Sequence, residues 1–351
     1  MLVEETVMSF DRRCALATLA ALAGTALASG SVLGKAAPLP FVPAVGPRSR
    51  VIFVNDLSGD LDGLYALVHA LLSPTIAIRA IVGTGTGREG ETAGRSVELA
   101  NEILSLMGRS GSVPVLAGAP AKLAAIQQPD RSAGALAIVA EAMREDSPLP
   151  LYVAVGGGLT EVASALRIEP RIAGRMTLVW IGGDALPGGG VGETNFTIDP
   201  VAARFVFNET AVPIWQVPRA VYATCMVSAS ELQAFVAPHG KIGKWLYDQV
   251  ANAPARFRNH LNMGETWTLG DNPLVLLTAL TGWTPSSYRP AFRYENTGSS
   301  AFDDVVAPTL NEDGTFSPRN EGRKIRVYTS ADNRMMLNDM FAKLRINYPA
   351  R

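Results

Sequence analysis

A regular alternation constrains this chain more than any other feature. Short β-branched runs give way, through turns rich in glycine or aspartate, to helical stretches. The first run is Val51–Val54, inside RVIFVNDLSGDLDGLYALVHA (Arg50–Ala70), after which Leu64, Leu67 and Val68 recur at helical spacing. Further runs cover Ile76–Val82, Val113–Leu116, Leu149–Val155, Met176–Ile181 and Val212–Val217, and helices are expected over Thr92–Met107, Thr160–Leu166 and Val201–Phe207. Strands separated by helices predict an α/β fold: a Rossmann-like open, mainly parallel sheet with right-handed crossovers and helices on its faces. Asp199-Pro200 supplies an N-cap and a first-turn proline for the third of these helices. Ser228–Trp267 reads as helical and surface-like, Leu274–Leu280 as an apolar helix, and Ala331–Ile346 as a closing amphipathic helix. Tyr288–Val306 and Lys324–Tyr328 read as short strands of a small C-terminal extension.

With 351 residues, 48% of them hydrophobic, the chain can bury one large α/β core. Its net charge of −1 argues against a nucleic-acid partner. Arg12-Arg13 precede the Ala/Leu-rich run Cys14–Ala28, with small residues following at Ala26-Leu27-Ala28 and Ala36-Ala37. This is the pattern of a twin-arginine export signal over residues 1–37, and it predicts a periplasmic or secreted protein. The run is too short and too rich in Ala and Gly for a membrane span, so no stable membrane association is expected after cleavage. A Pro-rich lead-in (38–48) and a single domain (49–351) follow. The mature chain then keeps Cys225 alone and depends on its core rather than on disulfides.

Between the first strand and its helix lie three carboxylates, Asp56, Asp60 and Asp62. Open α/β sheets bind ligands at the carboxyl ends of their strands, and like charges crowded there repel, so a divalent cation would relieve them. Ordinary turn and N-cap roles account for a single loop of this kind more often than a metal does, so support has to come from elsewhere in the chain. It is not an EF-hand, since Leu61 stands where that loop needs Gly and Leu67 where it needs Glu. Gly85, Gly87 and Gly90 match G-x-G-x-x-G in a strand-to-helix setting, but Val113–Leu116 ends without the acidic residue a dinucleotide ribose requires, which leaves a tight glycine turn. Asp271, ahead of Pro273, reads as another N-cap candidate.

Several segments, in this order, resemble the nucleoside hydrolase family of calcium-dependent N-ribohydrolases: NDLSGDLDGLYAL; VGGGLTEVASAL with IEPRIAGRMTLVWIGGD; GETNFTIDPVAARFVF; and LGDNPLVLLTAL, with a similar tail around KIRVYTSADNRMM. The resemblance implies a Ca2+ held by the Asp56/Asp60/Asp62 loop, the carbonyl of Gly156 and the carboxylate of Asp271. It further implies sugar contacts from Glu193 and Asn195. The chain departs from the family in the loop, where aligning through Ala66-Leu67 puts Asp56 first, Asp62 third and Gly63 fourth, while one inserted residue puts Val54 first, Asp56 second and Asp62 fourth. Either register loses a carboxylate, with Asp60 as the stand-in. Gly270 takes the place of a leaving-group His, and Thr84 that of a sugar-contacting Asn.

A hard cation suits this oxygen-only set, and one of Asp56, Asp60 or Asp62 would serve as the base that takes a proton from the attacking water. The expected function is hydrolysis of the N-glycosidic bond of ribonucleosides or related N-ribosides, with His260 as a candidate at the leaving base. The alternative is a non-catalytic, calcium-dependent binder of ribosyl or polyol ligands, motivated by glycine at positions 63 and 270. A nicotinamide-dependent oxidoreductase ranks last. The resemblance also implies a homo-oligomer acting on small molecules.

Overall fold

β1, Ser49–Asn55, is buried along its whole length, as a near-continuous apolar run in the middle of a parallel sheet must be. In the computed structural model, which describes residues 46–186, 192–253, 264–280 and 300–350, it pairs with β2 (Ile76–Gly83) on one side and β4 (Leu151–Gly156) on the other, both parallel. These residues belong to the compact unit Gly34–Arg351. The expected signal at 1–37, most of the lead-in at 38–48, the segment 254–263 with His260, and residues 281–299 lie outside the described residues.

The remaining strands of the main sheet are β3 (Val115–Ala117), β5 (Thr177–Ile181), β6 (Ile214–Val217), β9 (Phe302–Val306) and β12 (Lys324–Tyr328). Their order is β3-β2-β1-β4-β5-β6-β12-β9, with every neighbour parallel except the antiparallel edge strand β9. Two short antiparallel ribbons lie apart from it, β7 (Met226–Ser228) with β8 (Thr266–Thr268), and β10 (Thr309–Leu310) with β11 (Phe316–Ser317). The C-terminal strands are thus less an extension than expected, since β12 enters the main sheet beside β6.

Helices cover both faces. α1 (Asp62–Leu71) and α2 (Ala93–Leu106) pack with the closing helix Asn333–Asn347 over one face, in a core that includes Leu64, Leu67, Ile103 and Met340. α3 (Ala133–Ala142), α4 (Thr160–Ile168) and α6 (Pro200–Glu209) cover the other, around Val153, Val162, Trp180 and Phe207. α1 is buried from Gly63 to Leu71, because it is apolar on all sides and lies between the sheet and other helices. Asp199 caps α6 as expected, accepting from Ala202 N–H. No helix among the described residues is long and apolar enough to cross a membrane.

Chain order reverses between β1 and β4: β2 and β3 lie outward on one side, β5 and β6 on the other. Such a switch point opens a crevice at the carboxyl ends of the strands. Five parallel strands end there in register, as Gly83, Asn55, Gly156, Ile181 and Val217 form one row.

Candidate active site

The residues following that row form the floor of the crevice. Asp56 leaves β1, Thr84 leaves β2, Gly157 leaves β4 and Gly182 leaves β5. Asp56 is buried, and its N–H donates to the carbonyl of Gly156 at 3.3 Å. That carbonyl, an expected metal ligand, therefore sits at the switch point beside the first carboxylate. Asp60 and Asp62 follow on the loop and at the head of α1. Their Oδ1 atoms accept from the N–H groups of Leu61 (2.6 Å) and Gly63 (2.8 Å).

Asp271, more than two hundred residues later in the chain, arrives at the same place. It is buried, and its Oδ2 accepts from Asn55 Nδ2 at 2.7 Å. It is not an N-cap: the helix that starts at Pro273 has Asn272 in the capping position, without a side-chain cap. A Cβ added to Gly156 would fall 2.4 Å from Asp271 Oδ2, and one added to Gly270 would fall 3.1 Å from Asp62 Oδ2. Backbone without side chains is what lets these carboxylates approach.

The electrostatics follow from that approach. Burial pushes Asp56 and Asp62 well above the usual carboxylate range, and the charges of Asp271 and then Asp60 push both further. Burial likewise raises Asp271, against the Asn55 hydrogen bond that favours its charged form. Among the described residues, no lysine, arginine or histidine pairs with Asp56, Asp62 or Asp271. Two buried oxygens nearby, Asn55 Oδ1 and Thr84 Oγ1, have no hydrogen-bond partner among the described residues.

One expectation is not met in its simple form. Among the described residues, no group of three or more His, Cys, Asp or Glu side chains stands gathered to hold a metal ion. Part of the reason is local: Asp60 and Asp62 each turn one oxygen back onto backbone N–H groups, and Asp271 turns onto Asn55.

Glu193 is buried and its carboxylate accepts four hydrogen bonds. Oε2 takes the N–H groups of Gly183 and Phe196, both at 2.8 Å; Oε1 takes Asn195 N–H at 3.0 Å and the Tyr222 hydroxyl at 2.8 Å. It caps the short helix α5 (Thr194–Ile198) and pins it to the turn after β5. Asn195 Nδ2 donates to the carbonyl of Ile181. Both expected sugar contacts thus rim the crevice, and the Glu193 charge reaches Asp271. Asn55 and Tyr222 were not among the expected site residues. Asn55 has the signal of a lone polar residue closing an apolar strand. The Tyr222 ring lies beside Gly270, 3.1 Å from where a Cβ would stand.

The glycine-rich segment is a tight turn. Gly87 and Gly90 adopt φ of 81° and 77°, as a tight turn requires. Within the same turn the buried Glu91 carboxylate accepts from Thr86 Oγ1 at 2.6 Å and faces Arg88 at 3.8 Å.

A parallel α/β sheet with an acidic crevice at its switch point defines a class of small-molecule site. The family model described as "Inosine-uridine preferring nucleoside hydrolase" matches residues 51–337, and the chain belongs to that family of N-glycosyl hydrolases. The nucleoside hydrolase of that preference from Crithidia fasciculata is 38% identical over 86 residues, 24% of this chain and 26% of that protein. The matched stretch thus spans about a quarter of that relative. Among solved structures, a purine-preferring ribonucleoside hydrolase from Gardnerella vaginalis aligns over 84% of this chain and 98% of its own, with a TM-score of 0.67 at 18% identity. A plant nucleoside hydrolase aligns over 85% and 99%, with a TM-score of 0.65 at 17% identity. These two likenesses establish the fold.

Proposed function

We propose that this protein hydrolyses the N-glycosidic bond of ribonucleosides or related N-ribosides, releasing free sugar and base, at a calcium-dependent centre built on Asp56, Asp60, Asp62 and Asp271. The observation that carries the reading is the burial of carboxylates from two distant parts of the chain at one switch point, where no cationic side chain among the described residues pairs with Asp56, Asp62 or Asp271. Their oxygen-only chemistry fits a hard divalent cation, and so do the two unpartnered buried oxygens beside them. Asp56, Asp60, Asp62, Asp271 and the carbonyl of Gly156 are the residues that would hold Ca2+. When bound, the cation would lower the pKa of a coordinated water and offset the carboxylate charge.

The chain's own groups do the rest. An ionised Asp of the early loop takes the proton of the attacking water. The same carboxylates stabilise the positive charge that builds on the sugar as the bond to the base breaks. Glu193 and Asn195, fixed on the rim by their backbone contacts, orient the sugar hydroxyls, and Thr84 offers its hydroxyl from the floor. Assistance to the departing base comes from His260 or a Tyr of the same segment, or is dispensed with by a substrate that carries a better leaving group. Residues 49–351 form the catalytic domain, exported by a twin-arginine signal at 1–37 to the periplasm or medium, and a homo-oligomer is part of the same reading.

Reducing-sugar release from inosine and uridine, with and without chelator, tests the proposal. Calcium-dependent release supports it. A second reading, a non-catalytic calcium-dependent binder of ribosyl or polyol ligands, is favoured by the four donors already on Glu193 and by Gly270. Ligand binding without sugar release would establish that reading instead.

A further inference from the structure

α1 contains one residue that its surroundings do not call for. His69 is fully buried, with Leu67, Val68, Ala70 and Leu71, all buried and apolar, beside it. The closing helix supplies its partners. Nε2 lies 2.8 Å from Asp339 Oδ2, and Asp339 pairs at 2.5 Å with Lys343 Nζ. Lys343 is itself buried and donates to Ser73 Oγ at 2.8 Å, and the Ser73 hydroxyl donates to the carbonyl of His69 at 2.8 Å.

The other ring nitrogen faces the site. His69 Nδ1 is 3.4 Å from Asn272 Nδ2, and Asn272, fully buried, directly follows Asp271. Burial holds the imidazole below its usual pKa and therefore neutral. A neutral ring that gives its Nε2–H to Asp339 keeps Nδ1 as an acceptor, and among the described residues the group offered there is the Asn272 amide. Asn272 is also the pivot of the turn: its N–H donates to Leu269, and its carbonyl accepts from Val275 and Leu276. A part-buried ion pair of this kind adds little net stability compared with an apolar packing of the same volume. The imidazole it holds contacts Asn272, the residue next to Asp271 in the chain.

We propose that His69 is a positioning residue for Asp271, acting through Asn272, and that Asp339 and Lys343 of the closing helix hold the imidazole in the tautomer this requires. The inference deepens the reading of Asp271 as part of the hydrolytic centre and rests on it. It makes the C-terminal helix part of the site's support, although none of that helix's residues lines the crevice floor described above.

His69→Leu in the full chain tests it, with backbone amide exchange and calcium titration as readouts. Exchange across Leu269–Leu276 is expected to accelerate at least about tenfold while the amides of β1 and β4 keep their protection. Calcium affinity is expected to weaken roughly tenfold or more, as for other groups that orient a ligand. Asn272→Ala should reproduce both effects, and the double variant should add nothing further. Unchanged exchange and unchanged affinity in His69→Leu overturn the proposal, as do additive losses in the double variant. Should His69→Leu fail to fold, Asn272→Ala with the same two readouts decides alone. Absence of sugar release by the unmutated protein would sink the hydrolase reading, whereas the exchange measurement still decides the positioning claim.

Discussion

Asn55 governs the chemistry of its neighbours more than any residue the sequence singles out. Its Nδ2 holds Asp271, while its Oδ1 lies 2.1 Å from where a Cβ on Gly63 would stand. Position 63 is therefore glycine because the asparagine fills its space, which is why the loop carries no carboxylate there. Gly63→Ala should destabilise by about 1–3 kcal/mol through overpacking, read as a lower midpoint in urea, and should loosen Asp271 as well. Glu161 offers a separate test. Its buried carboxyl is pushed up to about 7, chiefly by desolvation, against a hydrogen bond from Ala119 N–H. A carboxyl raised above its unfolded value supports the fold below that value and withdraws the support as pH climbs through the folded one. Glu161→Gln, which keeps the acceptor for Ala119, should thus stabilise by up to roughly 3 kcal/mol at pH 8 and do nothing at pH 4. Asp56, Asp60 and Asp62 stood out as acid clustered at a strand end, whereas Asp271 entered the expected site only through the resemblance, its own sequence context reading as an N-cap. Asn55 and His69 were not legible, because a single polar residue in an apolar run carries no periodicity, and its partners lie far away in sequence.

β1, β4 and β5 were legible as elements because they are buried on both faces and so read as unbroken apolar runs. Other elements left no such trace. α3, AGALAIVAEA, is apolar almost throughout, and a short apolar segment without a polar face announces no helix. β7 and β8 are three residues each, too short for alternation to register. The expected strand from Tyr288 is present only as Phe302–Val306 among the described residues. Asp199 illustrates how one carboxylate can tie several elements together. It caps α6 through Ala202 N–H and also accepts from Leu123 N–H and the Thr160 hydroxyl, all while fully buried. Asp199→Ala should cost about 3 kcal/mol, a lost cap plus buried donors left unpaired. Activity per folded molecule should be unchanged, which a substrate contact would not allow.

Across the whole molecule, one switch point collects what the chain scatters. The early loop, the ends of β2, β4 and β5, and the turn before Pro273 converge on a crevice whose carboxylates raise one another's pKa. That mutual repulsion has a thermodynamic signature. In chelator, thermal stability should fall as pH rises above the ordinary carboxylate range, because the native state holds protons the unfolded chain releases. Calcium should flatten the profile by favouring the ionised forms, and Asp271→Asn should flatten it without calcium. The direct test of convergence is calcium-titrated sugar release from inosine and uridine by the intact protein and by Asp271→Asn. The account predicts saturable, calcium-dependent release by the first and, by the second, loss of both the calcium response and most of the turnover. Equal calcium response and equal turnover in the two proteins would contradict it.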